Sequence, residues 1–396
     1  MLVKRSCWTV ACALAALTSS PQWIWEQLAD FPGTARDDAA SFSIDGIIYV
    51  GTGMEVGWGL TTDWYAFDAS TESWSPIAPL PATPRQYCAA FAANGKGFLF
   101  GGIDANGALN ELWCYDPVLD EWTEKAPLPS EGRYACVAIG YWNTGQVATG
   151  MLASGQPTNE HWLYNADLDL WTSSQPVPGP ARHRAAAFAT NAFVIAGGAD
   201  ADGDALSDVW QYEIIFPTGE WMAGPDLPEP RLGAKCVSPN GLLIGGASDA
   251  STFHDDAWWF VNGTWTALTP FAGGIRRGGA SGASAGEGGT AYFGTGLGSG
   301  LQRHRDWWAL RGPIRIEEHD STLIQVAPNP AQDELRVAFQ MAGTRAYHVL
   351  DGSGRIVHAG SCASADFIDI SALVAGHCML QLVNDQSFRV PFVKLP

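Results

Sequence analysis

One pattern of small, apolar and polar segments recurs along most of the chain. Each copy begins with small and apolar residues, such as Ala89-Ala90-Phe91, and passes through a turn such as Asn94-Gly95. A second apolar segment ends in a glycine pair, as at Gly101-Gly102, and an aromatic segment such as Leu112-Trp113-Cys114-Tyr115 follows a variable loop. Asn-Gly suits the positive backbone angles of a hairpin turn, and short apolar and aromatic segments favour strands. Each copy therefore predicts four short strands.

Two residue types recur at the same place in each of six copies, and each such set of equivalent residues is called a column. A tryptophan recurs every 44 to 50 residues, at Trp25, Trp74, Trp122, Trp171, Trp221 and Trp265. An arginine follows each of these column tryptophans by ten or eleven residues, at Arg36, Arg85, Arg133, Arg182, Arg231 and Arg276. Two independent columns that agree over six copies identify a repeated structural unit.

The glycine pair, the spaced aromatic residues and the later tryptophan resemble the kelch repeat. The resemblance covers residues 21–312 and implies an all-β fold, a six-bladed kelch β-propeller with one four-stranded blade per repeat around a central channel. The sixth copy begins at Arg276 and lacks a following column tryptophan. We therefore predict that the strand around Trp23–Leu28 completes the sixth blade, which removes an exposed sheet edge.

The two ends of the chain predict an exported protein. Residues 1–20 read as a signal peptide, with Lys4 and Arg5 before an apolar run. Residues 313–322 read as a linker. Residues 323–396, with Val326-Ala327-Pro328-Asn329-Pro330 near their start, resemble the C-terminal sorting domain of type IX secretion cargo in Bacteroidota, although Cys378 stands where that family usually has Tyr. The resemblance implies a small Ig-like β-sandwich, the type IX translocon as a partner, and a secreted or cell-surface location.

The amino-acid composition argues against some classes of binding partner. The chain carries 41 acidic against 22 basic residues, a net charge of −19, so nucleic acid is not an expected partner. No apolar run reaches the roughly 18 residues of a membrane span. Six cysteines follow the signal peptide without metal-ligand spacing, and Cys362–Cys378 is the disulfide to test. We expect no cofactor.

The arginine column supplies the candidate ligand site. Strands of a blade alternate in direction, so the arginines and the loops after the glycine pairs are expected on one face, the mouth of the channel. Arginine binds carboxylates in a bidentate manner, which suits an acidic ligand. The alternative is a structural ion pair within each blade. The candidate mouth residues are Arg36, Arg85, Arg133, Arg182, His183, Arg231 and Arg276.

An acidic loop is a weak candidate for calcium, and otherwise no metal site is expected. Its carboxylates stand at alternate positions, as hard cations require. However, Ala205 and Gln211 stand where an EF-hand loop has Gly and Glu, and the loop is also a normal solvated turn. The candidate ligands are Asp200, Asp202, Asp204 and Asp208.

Two functions from different classes fit these features. The chain has no His-Glu-x-x-His run and no phosphate-binding glycine loop, which favours a non-catalytic, ligand-binding surface protein. Some kelch propellers, such as galactose oxidases, hold copper, but no matching Tyr/His set is evident. The alternative is a small-sugar enzyme, because exported kelch propellers include the sialic acid mutarotases (N-acetylneuraminate epimerases).

Overall fold

The structure, a computed structural model, describes most of the chain between residues 23 and 395. The described ranges are 23–190, 192–213, 219–237, 241–284, 290–312, 325–327, 331–338, 344–351, 355–363, 366–382 and 389–395. The expected signal peptide (1–20) and linker (313–322) lie outside them. The chain divides into two compact units. The first comprises Met1–Thr190, Val194–Trp210 and Ala223–Ile314, and the second comprises Asn191–Phe193, Gln211–Met222 and Arg315–Pro396.

Six antiparallel four-stranded sheets follow one another from residue 24 to residue 311, and they confirm the predicted six-bladed β-propeller. From the innermost strand outwards, their bounds are as follows. Blade 1 has Ala40–Ile44, Ile47–Gly51, Trp64–Asp68 and Ser73–Ile77; blade 2 has Ala89–Ala93, Lys96–Phe100, Leu112–Asp116 and Glu121–Lys125; blade 3 has Val137–Tyr141, Thr144–Ala148, His161–Asn165 and Leu170–Ser173. Blade 4 has Ala186–Ala189, Ala192–Ala196, Val209–Glu213 and Glu220–Ala223; blade 5 has Lys235–Val237, Leu242–Ile244, Ala257–Val261 and Thr264–Ala267; blade 6 has Ala280–Ala283, Ala291–Gly294, Trp307–Arg311 and Ile24–Gln27.

Short strand pairs add a rim to one face of three blades. Each joins the residues around a column arginine, or the loop that follows a glycine pair, into a two-stranded ladder. The pairs are Arg36–Asp37 with Met54–Glu55, Ile103–Asp104 with Gly107–Ala108, and Arg133–Tyr134 with Met151–Leu152. One 3-10 turn, Ser299–Leu301, lies in the corresponding loop of blade 6. None of the helices among the described residues has the length and apolar character needed to span a membrane.

The N-terminal strand closes the propeller. Ile24–Gln27 pairs antiparallel with Trp307–Arg311, so that Trp25 lies opposite Leu310. The Trp25 indole is buried, packs edge-on against Phe271 with ring centroids 4.9 Å apart, and donates from Nε1 to the Thr269 carbonyl at 3.1 Å. The two ends of the propeller are thus held together by a sheet ladder and by one aromatic side chain.

Two closed rings of backbone hydrogen bonds join neighbouring blades around the axis. In the outer ring, the second residue of each glycine pair donates to the carbonyl of the next blade's column arginine. These bonds run from Gly53 to Arg85, Gly102 to Arg133, Gly150 to Arg182, Gly198 to Arg231, Gly246 to Arg276 and Gly296 to Arg36, at 2.7–3.0 Å. In the inner ring, the residue two positions after each column arginine donates to its counterpart in the preceding blade. The inner donors are Asp38, Tyr87, Ala135, Arg184, Gly233 and Gly278, at 2.7–3.2 Å.

The outer ring explains the glycine pairs. Both residues of each pair have positive φ, but the second lies between 92° and 107°, beyond the range that an L side chain adopts easily. A Cβ at Gly53 would also lie 2.7 Å from the Asp37 carbonyl oxygen. The first position has φ near 55–65°, which threonine tolerates, and Thr52 is fully buried there. The pattern Gly/Thr-Gly is therefore a backbone requirement.

Column tryptophans fill the wedge-shaped spaces between the outer strands. Trp122 packs against Tyr115 of its own blade at 5.1 Å and donates from Nε1 to the Ala78 carbonyl of the preceding blade at 2.9 Å. Trp171 repeats this arrangement with Tyr164 and Ala126. Large rings suit this position because the gap between blades widens away from the axis, and each buried indole removes roughly 150–250 Å² from water.

The second unit contains two β-sheets that share one apolar cluster. The first sheet holds Gln325–Ala327, Glu334–Ala338 and Phe367–Asp369, and the second holds Ile356–Cys362, Arg345–Asp351, Gly376–Leu382 and Arg389–Lys394. Leu335 and Ile368 of the first sheet pack with Val349 and Leu380 of the second. Its assignment as a sorting domain of Ig-like type stays a prediction from the sequence.

The disulfide considered between Cys362 and Cys378 does not fit this sheet. Cys362 lies opposite Arg345, at one end of the strand Arg345–Asp351, and Cys378 lies opposite Asp351, at the other end. Six residues of strand span about 20 Å, whereas the Cα atoms of a disulfide lie within about 7 Å. Both thiols are free and buried, and burial raises the pKa of each.

Replacing Trp25 with Ala should destabilise the propeller by roughly 3 to 5 kcal/mol, because a large buried ring is lost at the closure. Ile24→Ala is the matched control, since Ile24 is the adjacent residue and is 62% exposed. It should change the free energy of unfolding by less than about 0.5 kcal/mol. Denaturant titration followed by tryptophan fluorescence measures both, and equal effects would contradict closure through Trp25.

Candidate functional site

Each column arginine is buried and paired with a carboxylate of its own blade. The guanidinium of Arg182 binds Asp208 with two hydrogen bonds of 2.6 Å, and Arg231 binds Asp256 at 2.9 and 2.6 Å. All six arginine side chains are at most 3% exposed. The six pairs are Arg36–Asp63, Arg85–Glu111, Arg133–Glu160, Arg182–Asp208, Arg231–Asp256 and Arg276–Asp306.

The carboxylate in turn holds the aromatic strand. Asp208 accepts a hydrogen bond from Nε1 of Trp210 at 2.7 Å, and Asp256 does the same for Trp258. Burial acts to raise the pKa of Asp208, but the hydrogen bonds from Arg182 and Trp210 outweigh it and hold that pKa below its ordinary value. The carboxylate is therefore ionised at neutral pH, and the arginine–carboxylate–tryptophan set is a repeated structural element.

These pairs leave the column arginines inside the blades and not on an open surface. Their charge is balanced locally, which supports the structural alternative; direct ligand binding by them stays a prediction. His183, the other predicted mouth residue, is half-buried, and its backbone pairs with Ala199. Burial, aided by the charge of Arg184, lowers its pKa to about 4, so its imidazole is neutral at physiological pH.

The six inner-ring residues surround the axis at the channel mouth. All six have positive φ, between 51° and 63°, although Asp38, Tyr87, Ala135 and Arg184 carry side chains. Such conformations are uncommon outside glycine and are found disproportionately at functional sites. The repeat imposes the backbone geometry, and the side chains at these positions differ from blade to blade.

Three of these positions and one neighbour form what we call the axial cluster: Asp38, Tyr87, Arg184 and Arg277. Nη2 of Arg184 donates to the Tyr87 hydroxyl at 2.8 Å, and its guanidinium lies over the Tyr87 ring, 5.0 Å from the centroid. The Tyr87 hydroxyl hydrogen-bonds the Asp38 carboxylate. Residues from blades 1, 2, 4 and 6 thus interact with one another across the inner ring.

Asp38 supplies the carboxyl group of the cluster, and the pKa of that group is shifted. Burial raises its pKa to about 7, and the neighbouring charge of Asp37 contributes to the increase. The positive charges of Arg184 and Arg277 oppose this shift only in part. At neutral pH the carboxyl therefore populates both protonation states, which is the condition that suits a general acid and base.

Glycines in the inner ring make room for the cluster. Gly278 lies beside the Asp38 carboxylate, and a Cβ at this position would overlap with Oδ1. At Gly233, a Cβ would contact Cβ of Arg277 at 3.7 Å. The two glycine positions of the ring, on blades 5 and 6, therefore leave space for the side chains of Asp38 and Arg277.

The cluster holds two arginines against a single carboxyl group, that of Asp38, so it carries an excess of positive charge. Within the described residues, neither Arg184 nor Arg277 forms an ion pair, and Nε of each is buried without a hydrogen-bond partner. Arg277 instead lies over the Phe253 ring, 5.1 Å from its centroid. Uncompensated buried donors are costly, so a bound anion would stabilise them.

A channel of about 530 Å³ runs along the axis, lined by the innermost strands of all six blades. Most of its lining is small and neutral, as in Ala90, Ala138 and Ser281. Lys235 is the one cationic residue among the described residues that line it. Burial lowers the pKa of Lys235, and the charge of Asp38 opposes that shift.

The sequence indicates that Arg184 and Arg277 add charge beside the arginine column, but it does not single out Asp38 or Tyr87. Asp38, Tyr87 and Arg184 stand two positions after a column arginine, and Arg277 stands one position after. The available signal was the variation at these two positions beside an invariant arginine. It becomes meaningful only when the backbone shows that the two positions face the axis.

The acidic loop of blade 4 does not assemble a metal site. Asp200 accepts hydrogen bonds from the backbone N–H groups of Asp202 and Asp204, which closes a local turn. Asp208 is bound by Arg182 and Trp210. No group of three or more His, Cys, Asp or Glu side chains in the described part of the chain has the arrangement of a metal site.

Comparisons with known proteins agree with this architecture. Residues 84–129 match the Kelch motif, which, with the six blades, establishes a kelch-type propeller. A solved structure described as "Structure of YjhT" superimposes with a TM-score of 0.63 and 15% identity, covering 71% of this chain and 96% of that one. At this identity the likeness concerns the fold alone.

Two curated relatives carry one name. The chain is 36% identical over 86 residues to the N-acetylneuraminate epimerase of Shigella sonnei, which is 21% of this chain and 23% of that protein. It is 30% identical over 128 residues to the N-acetylneuraminate epimerase of Yersinia enterocolitica, which is 29% of this chain and 31% of that protein. The matches thus span less than a third of the relatives' length.

Asp208→Asn should destabilise the propeller by about 3 kcal/mol, because it leaves the buried Arg182 without its counter-charge. Because the pKa of Asp208 is lowered in the folded state, the loss should be largest at neutral pH and should shrink as acidity protonates the wild-type carboxylate. Asp202→Asn is the control, since Asp202 is exposed in the same blade. Thermal unfolding of both variants tests this, and a stable Asp208→Asn protein would refute a structural role.

Proposed function

We propose that this propeller binds a small acidic sugar at the channel mouth and interconverts its anomers, the alternative raised by the sequence. One observation carries the proposal: a carboxyl group with a pKa of about 7 lies on the axis beside two arginines, and Nε of each arginine is buried without a hydrogen-bond partner among the described residues. The names of the two relatives support the choice of sugar, since both are N-acetylneuraminate epimerases. A carbohydrate ligand also fits the binding role first expected for the mouth.

The chemistry needs one group that gives and takes a proton. Asp38 removes the proton of the anomeric hydroxyl, the bond between the anomeric carbon and the ring oxygen breaks, and the protonated Asp38 carboxyl transfers that proton to the ring oxygen. Reclosure on the other face of the carbonyl reverses these steps, so the reaction is balanced without a cofactor. General acid–base catalysis by a positioned side chain contributes roughly 10²–10⁴ in rate.

The arginines have a separate task. Arg184 and Arg277 flank Asp38, so they hold the sugar carboxylate beside the reacting centre through charge-assisted hydrogen bonds. Tyr87 orients the Asp38 carboxyl by its hydrogen bond and is itself oriented by Arg184. Binding and proton transfer thus use different members of the axial cluster, and substitutions can separate them.

Arg277→Gln should weaken binding of N-acetylneuraminate by about tenfold to a hundredfold, because one charge-assisted contact is lost. Arg305→Gln is the matched control, since Arg305 is half-exposed and pairs with Asp30 at 3.3 Å. Calorimetric titration of the full chain gives both dissociation constants. Equal affinities of the two variants would argue against recognition of the carboxylate by Arg277.

Asp38→Asn should reduce anomer interconversion to the rate of the uncatalysed reaction while N-acetylneuraminate still binds, because the amide cannot exchange the proton. In the wild type, the rate should fall as the pH drops below about 7, where the carboxyl becomes protonated. Because folding raises this pKa, ionisation of Asp38 also lowers wild-type stability as the pH rises from about 4 to about 7, and the variant should lose that dependence. NMR exchange between the anomers measures the rate. A wild-type rate no faster than the uncatalysed reaction would contradict the enzymatic activity, and an Asp38→Asn rate equal to that of the wild type would contradict the role of Asp38.

A further inference from the structure

One tryptophan at the rim of the mouth is not accounted for by packing. Of the tryptophans that the structure describes, Trp58 alone is exposed, with 66% of its surface accessible to solvent. It lies in the loop Glu55–Gly59, which follows the glycine pair of blade 1. Tryptophan is enriched at interfaces because its ring combines a large apolar face with a polar N–H group, so an exposed indole beside a polar site is a candidate ligand contact.

The backbone holds Trp58 in this exposed position against its own preference. Its φ is 69°, a genuine outlier for a bulky residue. The loop is fixed by hydrogen bonds from Glu55 N to Gly59 O at 2.7 Å and from Val56 N to Ala35 O at 3.2 Å. The Glu55 carboxylate also pairs with Arg36 at 3.0 Å, which ties the loop to the arginine column. Strain of this kind persists where surrounding contacts enforce it, and it concentrates at binding sites.

A continuous set of contacts leads from Trp58 to the axial cluster. The Arg303 guanidinium lies over the indole, 4.6 Å from the ring centroid, and covers one of its faces. Arg303 is also ion-paired with Asp37, and both side chains are only 6% exposed. Asp37 immediately precedes Asp38 in sequence. The indole is therefore oriented by a buried ion pair that begins next to the proposed acid–base group.

We propose that Trp58 is a stacking platform for a second sugar ring, so that the preferred ligand is a short oligosaccharide with the acidic sugar at its reducing end. This inference rests on the proposed function. The open indole face suits the apolar C–H face of a pyranose. The Arg303 side chain and Asp37 lie between Trp58 and Asp38. We therefore assign Trp58 to a ring that adjoins the reacting ring and not to the reacting ring itself.

The test compares two probes, N-acetylneuraminate and its dimer linked through a hydroxyl remote from the reducing anomeric carbon. The wild type should bind the dimer about fivefold to tenfold more tightly, as expected for burial of one indole face. In Trp58→Ala this ratio should fall to about one with the affinity for the monomer unchanged, whereas Trp58→Phe should keep part of the gain. Selective quenching of Trp58 fluorescence by the dimer is an independent readout.

Trp142→Ala is the matched control. Trp142 also has positive φ, 59°, but it stacks on Tyr141 in the hairpin between the two inner strands of blade 3, on the opposite face. It should leave the ratio unchanged. Equal wild-type affinity for monomer and dimer, or a Trp58→Ala loss shared by both probes, would overturn the second subsite while leaving the proposed function standing. If neither probe binds the wild type, the proposed function itself fails, and this inference with it.

Discussion

The structure depends on the ion pair between each buried column arginine and a partly exposed carboxylate that immediately precedes the third strand of the same blade. The guanidinium fixes the carboxylate, and the carboxylate fixes the aromatic strand, as Asp208 does for Trp210. The arginine carbonyl meanwhile accepts the hydrogen bond from the preceding blade's glycine. Burying charge is costly unless it is paired and hydrogen-bonded, and here each guanidinium has a carboxylate partner. One residue therefore connects packing within a blade to assembly between blades.

In this arrangement the structural residue, the column arginine, is followed within two residues by the positions that form the axial cluster. Once an arginine is anchored, the backbone of the next two residues is fixed by the inner ring of hydrogen bonds, whatever their side chains are. Asp38, Ala135 and Gly233 adopt the same left-handed conformation at the same place in three different blades. The propeller can therefore change its axial cluster by substitution without changing its fold, which agrees with the general observation that function resides in sites placed on folds.

The sequence predicted the fold well because repetition supplied independent agreement. Six tryptophans, six arginines and six glycine pairs imply blades, and a column tryptophan before the first arginine implies closure by the N-terminal strand. The same repetition made the axial cluster hard to predict, because the arginines that recur in every blade form the structural ion pairs. The functional candidates are residues that differ between repeats, such as Tyr87 and Arg277, and only the three-dimensional ring shows that they converge. The Cys362–Cys378 pair misled for a related reason, because spacing in sequence says nothing about which ends of a strand two residues occupy.

The axial cluster and Trp58 differ from the rest of the propeller in charge pairing and in burial. Elsewhere in its described residues arginines are paired and large rings are covered, yet Arg184 and Arg277 share the single carboxyl group of Asp38, that group has a raised pKa, and Trp58 is exposed on a strained backbone. Such departures lower stability, and they persist only where the surroundings enforce them. The two hydrogen-bonded rings and the six ion pairs provide that enforcement. A rigid, repeated frame is what allows one small region to keep excess positive charge and exposed aromatic surface available for a ligand.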